Sequence, residues 1–127
     1  MKSEPAKKWL DRVEYDVQTA EAMLTTARYV YVIFMCQQAI EKALKAVIAS
    51  RGEEVMPIHN LRRLTELAKV EFHESKLVKL DFLSQFYINA RYKEDLADIS
   101  KGITRPLSEE FLAFTKESLK WITGRIS

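Results

Sequence analysis

Two polar residues, Gln37 and Glu41, lie inside the most apolar segment of the sequence, residues 29–50. They are four positions apart, so a helix would stack both side chains on one face. A buried carboxylate without a partner is costly, so Glu41 requires a cation or a tyrosine hydroxyl from another helix, and we expect Arg91 to supply it. Two interpretations remain open: an internal ion pair or interface contact, and the floor of a polar ligand pocket.

Arg91 and Tyr92 form a second candidate site, directly after a predicted helix. An arginine there can donate to the phosphate of a ligand, and a tyrosine ring can stack on a base. The structural alternative is that Arg91 donates to the last carbonyl groups of the helix while Tyr92 packs.

A group of basic residues predicts an anion site between the second and third helices. These residues are Lys42, Lys45, Arg51, His59, Arg62 and Arg63. The alternative is that they form an ordinary solvated face. Together these patterns make Arg91, Tyr92, Lys42, His59, Arg62 and Glu41 the candidate ligand-binding residues.

Several other chemistries are excluded by the sequence. The three glycines lie far apart, so no glycine-rich phosphate loop exists. Cys36 lies in the apolar segment and is expected to be a small buried hydrophobic residue rather than a nucleophile. His59 and His73 are not on one helical face and have no accompanying ligand motif, so we expect no metal, no cofactor and no catalytic residue.

Apolar residues recur every three or four positions through most of the sequence, which predicts amphipathic helices. The predicted elements are a helix over 5–26, a central helix over 29–50, a short helix capped by His59 or Asn60, a helix over 74–90, an irregular segment over 91–105, and a helix opened by Pro106. The pattern therefore predicts an all-α, up-and-down antiparallel bundle of about five helices, in one domain spanning residues 1–127.

Composition limits the cellular setting and the partners. The 127 residues carry 20 Lys and Arg against 18 Asp and Glu, a net charge of +2 that does not demand a polyanionic partner such as sequence-specific nucleic acid. No run of apolar residues is long enough to cross a membrane, and no signal peptide is evident. We therefore expect a cytoplasmic protein without a membrane partner.

The ordered motifs of the chain resemble the HEPN domain family. The matching pieces are Trp9-Leu10 with Asp16 and Ala20, Gln37-Gln38-Ala39, Glu41-Lys42-Ala43-Leu44-Lys45-Ala46, His59-Asn60-Leu61 with Leu64, and Asn89-Ala90-Arg91-Tyr92. The resemblance implies a helical bundle that forms a homodimer. It also implies a nucleotide- or substrate-binding module that works with a minimal nucleotidyltransferase encoded nearby.

Other HEPN proteins are metal-independent RNases of toxin–antitoxin pairs, and this sequence departs from their pattern. They carry an Arg and a His separated by four to six intervening residues, whereas no His follows Arg91 within that distance. Lys93 also replaces the usual Pro after Arg-Tyr. An accessory binding module is therefore the favoured function, with a toxin-type RNase and a purely structural dimerisation scaffold as alternatives.

Surplus apolar residues support the expectation of a homodimer. Five of them lie off the main apolar stripes of their helices: Val32, Met35, Phe82, Phe86 and Leu112. On a monomer such residues would form an exposed patch, and exposed apolar patches usually mark interfaces.

Overall fold

The chain folds as a helical bundle in a computed structural model that describes residues 4–91 and 96–126. Its helices are α1 (Glu4–Thr25), α2 (Tyr29–Ser50), α3 (Leu61–Ala68), α4 (Glu74–Arg91), α5 (Leu96–Ser100) and α6 (Arg105–Thr123). The all-α prediction is confirmed, and the described residues contain no strand. The additional helix, α5, has only five residues. It lies within residues 91–105, where apolar residues show no regular spacing.

Helix α2 occupies the centre of the bundle and packs against α1, α3, α4 and α6. Its apolar side chains cover most of its circumference, which is why several neighbours can bury it. The chain leaves α2 at Gly52, whose positive φ of 74° is the left-handed conformation that glycine adopts most readily. Polar groups on α2 are therefore presented to neighbouring helices rather than to bulk water.

The other helices contribute one apolar face each to the core. Fully buried side chains include Leu61 and Leu64 of α3, Leu80 and Leu83 of α4, and Ile122 of α6. These faces fix the positions of α3 and α4 beside α2, and the candidate site lies among those three helices.

The predicted apolar patch is smaller than the sequence suggested. Val32 and Leu112 are buried in the core, because α2 and α6 are covered on more sides than one stripe requires. Met35 and Phe86 are partly buried against the core, and Phe82 is 38% exposed. Only part of the predicted surface thus remains available to a partner.

Helix α3 begins at a side-chain cap. The Asn60 side-chain oxygen accepts a hydrogen bond from the backbone N–H of Arg63 at 2.9 Å, which satisfies one of the free donors of the first turn. Of the two predicted caps, Asn60 is therefore the one used. His59 lies just outside the helix, and its side chain is free to turn towards α2.

Candidate functional site

Glu41 is buried in the bundle, with 4% of its surface exposed, and both carboxylate oxygens have partners. Oε1 accepts from Gln37 Nε2 at 2.9 Å and lies 3.0 Å from His59 Nδ1, and Oε2 accepts from Lys45 Nζ at 3.0 Å. The expected burial of Glu41 is confirmed, but the expected partner is wrong: neither Arg91 nor any other cation or tyrosine of another helix contacts this carboxylate among the described residues. Lys45, on the same helix, and His59, from the chain before α3, take its place.

These contacts keep Glu41 ionised. Burial alone would raise the pKa of this carboxyl group. Hydrogen bonds from Gln37, Lys45 and His59, together with the positive charge of Lys45, outweigh burial and hold the pKa below its usual range. Glu41 is therefore a fixed negative charge that only accepts hydrogen bonds.

Lys45 is shielded from solvent, although one of the two interpretations of the basic set is a solvated face. It is 5% exposed, because its amine reaches back to Glu41 and lies 5.8 Å from the ring centre of Trp9 on α1. The aromatic face and the carboxylate together replace much of the water that the ammonium group loses. Lys45 thus stabilises the buried Glu41 carboxylate and does not face a ligand.

Gln37 ties His59 to α2 through the backbone. Its Nε2 donates to the carbonyl oxygen of His59 at 3.2 Å as well as to Glu41. Both partners are acceptors, so the amide must turn its N–H groups towards them. The Gln37 oxygen is consequently buried without a partner among the described residues. This unsatisfied group is a cost of holding His59 in place.

The His59 side chain connects this buried network to the surface, with 47% of its area exposed. Its ring packs against Tyr87 of α4 at a centroid distance of 5.9 Å. The Tyr87 hydroxyl accepts from Gln38 Nε2 at 3.3 Å, which links α4 to α2. The Arg91 guanidinium lies over the same tyrosine ring, 5.2 Å from its centre. We call Glu41, His59, Tyr87 and Arg91 the His59 site.

Tyr87 is the residue of this site that sequence reasoning missed. Its spacing matches the leucines of α4, so the pattern assigns it to the apolar face. A usable signal is its position four residues before Arg91, because side chains four apart on a helix are neighbours.

The predicted anion site does not form as one patch. Every residue of the basic set has an acidic partner: Lys42 with Asp16, Lys45 and His59 with Glu41, Arg51 with Glu53, Arg62 with Glu74 and Asp81, and Arg63 with Glu66. Most of these cations stabilise local or interhelical contacts. Arg91, in contrast, has no carboxylate partner in the described part of the chain.

Two candidate residues, Lys42 and Arg62, join α2 and α3 to their neighbours. Lys42 Nζ lies 2.6 Å from Asp16 on α1. Arg62 donates two hydrogen bonds to Asp81 on α4, and these, with the bond to Glu74, raise the pKa of its guanidinium further. Tyr92, the remaining candidate, lies outside the described residues.

Cysteine and metal chemistry gain no support from the geometry. Burial raises the pKa of the Cys36 thiol to about 11, and Thr115 opposes this only in part. The thiol is therefore protonated at neutral pH. Within residues 4–91 and 96–126, no three His, Cys, Asp or Glu side chains come together as metal ligands. None of the described helices is long and apolar enough to cross a membrane.

Comparison with known proteins gives the family. The sequence matches the HEPN domain over residues 6–126, nearly its whole length. The chain belongs to the HEPN family. No curated protein matches it in sequence.

Two solved structures share this HEPN fold. One is TT1696 from Thermus thermophilus, with a TM-score of 0.81 and 24% identity, covering 97% of this chain and 99% of that one. The other is ST0689, described as an archaeal HEPN homologue, with a TM-score of 0.77 and 22% identity, covering 98% of this chain and 100% of that one. At these identities the likeness shows the fold alone.

Proposed function

We propose that this HEPN protein is a homodimeric accessory module that binds a nucleotide, or a substrate carrying a phosphate, for a minimal nucleotidyltransferase. The observation that carries the proposal is the His59 site. Its two outer groups, His59 and Arg91, pack on the same tyrosine ring. Each keeps hydrogen-bonding capacity that no described residue uses.

Arg91 is the group best suited to a phosphate. Its planar guanidinium offers several donors, and the Tyr87 ring beneath it restricts its orientation without using those donors. The three arginines of the basic set already donate to carboxylates, so they would have to break an ion pair before binding a phosphate. A base-stacking role for Tyr92 stays a prediction.

In this proposal Lys42 and Arg62 act on the fold rather than on the ligand. Each is held by an acidic residue of a neighbouring helix. Glu41 likewise touches His59 and not the ligand. The contact residues are therefore His59, Tyr87 and Arg91.

Nucleotide binding by purified protein tests this assignment. Titration calorimetry with AMP and ATP should show binding to the wild type. Arg91→Lys should weaken it by about 1–3 kcal/mol, the worth of a hydrogen bond to a charged group, while the melting temperature stays unchanged. Arg125→Lys is a matched control, because Arg125 also lies over an aromatic ring, 4.4 Å from the centre of Trp121, and contacts no residue of the site. Equal binding by wild type and Arg91→Lys would contradict the proposal.

The partner enzyme can be sought in the gene neighbourhood. We expect a nearby open reading frame to encode a protein with the Gly-Ser and paired-Asp motif of minimal nucleotidyltransferases. Co-expression should yield a complex of the two proteins that survives gel filtration. A neighbourhood without such a gene would remove the support for this partner.

A strip of aromatic side chains across α2 and α4 supports the homodimer. Tyr31 and Phe82 are 46% and 38% exposed. Ring contacts join Tyr31 to Phe34, Phe34 to Phe86, and Phe86 to Phe82, at 6.0, 5.5 and 6.3 Å. Exposed apolar surface of this kind is typical of an interface between copies.

Sedimentation equilibrium at micromolar concentration tests the dimer. The wild type should show twice the chain mass of 14.8 kDa. Phe82→Asp should shift the equilibrium to the monomer, whereas Ile88→Asp, a change at an exposed apolar residue elsewhere on α4, should leave the dimer intact. A monomeric wild type would rule the dimer out.

A toxin-type RNase remains the second candidate, because His59 and Arg91 pack on one tyrosine despite lying in distant segments. Metal-independent RNA cleavage requires a proton-transfer group beside a cation. Incubating the protein with single-stranded RNA in EDTA distinguishes the two functions. Cleavage that is lost in His59→Gln would favour the RNase, and intact RNA would favour the binding module.

A further inference from the structure

The protonation of the His59 ring follows from its partner. Glu41 is ionised and offers only lone pairs, so the hydrogen bond between Glu41 Oε1 and His59 Nδ1, at 3.0 Å, requires the proton on Nδ1. In a neutral imidazole only one ring nitrogen carries a proton. Nε2 of neutral His59 must therefore be a hydrogen-bond acceptor.

The second histidine of the chain shows the opposite arrangement. The backbone N–H of Ser75, which can only donate, lies 3.2 Å from His73 Nδ1, and the Ser75 hydroxyl, 2.9 Å from the same nitrogen, can donate to it as well. Nδ1 of neutral His73 is therefore the acceptor, and its proton lies on Nε2. The two histidines of this protein thus provide an internal comparison.

Nε2 of His59 is available to a ligand. The side chain is 47% exposed, and this nitrogen has no partner among residues 4–91 and 96–126. The Glu41 bond and the Tyr87 ring fix the orientation of the imidazole from two directions. A ring held in this way presents its acceptor at low entropic cost.

We propose that Nε2 of His59 accepts a hydrogen bond from a ribose hydroxyl of the bound nucleotide, and that Glu41 is a positioning residue that holds His59 in the required tautomer. This inference rests on the proposed nucleotide-binding function. Arg91, on the same tyrosine ring, offers donors and takes the phosphate. Of the donors that remain on a nucleotide, the N–H groups of the base differ from one base to the next, whereas the ribose hydroxyls are common to all ribonucleotides, and we therefore assign the acceptor to the sugar. The site then distinguishes ribonucleotides from nucleotides that lack a hydroxyl group.

NMR measures the tautomers directly. Long-range ¹⁵N–¹H spectra at about pH 8.5, where an ordinary imidazole is neutral, should show His59 protonated on Nδ1 and His73 on Nε2. Glu41→Gln should remove the preference at His59, because its amide can donate to Nδ1, while His73 stays unchanged. Glu53→Gln, at a carboxylate paired with Arg51, is the control and should alter neither histidine. Protonation of wild-type His59 on Nε2 would overturn the proposal, and so would an unchanged tautomer in folded Glu41→Gln.

Ligand comparison tests the hydroxyl contact on wild-type protein, independently of whether Glu41→Gln folds. AMP should bind about three- to tenfold more tightly than at least one of 2′-deoxy-AMP and 3′-deoxy-AMP, the range expected for one hydrogen bond. Equal binding of all three would overturn this inference and leave the proposed function standing. If AMP and ATP fail to bind at all, the proposed function and this inference both fail.

Discussion

Removing the Glu41 carboxylate should destabilise the protein strongly. In Glu41→Ala the ammonium group of Lys45 stays buried and loses its negative partner, and the donors on Gln37 and His59 lose the oxygen they share. Breaking a buried ion pair by removing one partner costs about 3–5 kcal/mol. At this chain length 1 kcal/mol moves the melting temperature by roughly 4 °C, so we expect a fall of about 12–20 °C.

Circular dichroism with thermal and urea denaturation measures this loss. The double variant Glu41→Leu with Lys45→Met removes both charges and fills the space with apolar atoms, so it should recover most of the stability. The comparison separates an unpaired buried charge from a simple packing defect. If Glu41→Ala melts within about 2 °C of the wild type, the buried-charge reasoning is refuted.

The same carboxylate predicts an acid dependence of stability. Its pKa in the folded protein lies below the ordinary value of 4.5, so the unfolded chain binds its proton more readily. The stability from Glu41 is therefore complete above pH 4.5 and is lost as pH falls through the lower folded pKa. Glu41→Gln, which cannot ionise, should show a shallower loss of stability in this acid range. An identical acid profile for both proteins would contradict this expectation.

Two substitutions and one labelling experiment test separate parts of the fold. Asn60→Ala removes the cap of α3 and should lower the free energy of unfolding, measured in urea, by about 1 kcal/mol. AMP should also bind more weakly, because His59 is the preceding residue. Unchanged stability would argue against the cap. Asp16→Asn should cost about 1–2 kcal/mol by removing the charge partner of Lys42, and the loss should vanish in a background that already carries Lys42→Met. Cys36 should react with a thiol reagent only in urea, so rapid modification of the native protein would contradict its burial.

Helical periodicity is sufficient to predict most of the fold. The predicted ranges 5–26, 29–50 and 74–90 lie within a residue or so of α1, α2 and α4, since each helix spans several turns of regular apolar spacing. Helix α5 escapes prediction, because five residues do not complete two turns of any pattern. It packs against α2, a contact that no local spacing reveals.

The contacts of the site could be predicted only in part. Burial of Glu41 follows from its place in an apolar helix, and the structure confirms it. Its partners do not follow, because sequence spacing does not say which of several cations folds back towards α2. Lys45 illustrates the difficulty: on a helical projection it faces solvent, yet Trp9 of α1 covers it in the bundle.

The sequence overestimates how many cations of the basic set are available to bind an anion, and the reason is related. A count of nearby cations includes neither Asp16, which lies 26 residues before Lys42, nor Asp81, which lies 19 residues after Arg62. Both carboxylates come from helices that the fold brings alongside. Charge runs are therefore poor guides to anion sites until the acidic partners on neighbouring helices are known.

The two outer groups of the His59 site, His59 and Arg91, differ in how many contacts fix their orientation. This difference affects how a ligand would be recognised. His59 is held by Glu41, by Gln37 through its backbone carbonyl and by the Asn60 cap that follows it, so its acceptor is fixed before any ligand arrives. Arg91 is the last residue of α4 and is held only by its contact with Tyr87 among the described residues. A fixed acceptor selects for the position of one hydroxyl group, whereas a guanidinium with several donors can follow phosphates of different geometry. The site should therefore be selective for the sugar and tolerant of the number of phosphates.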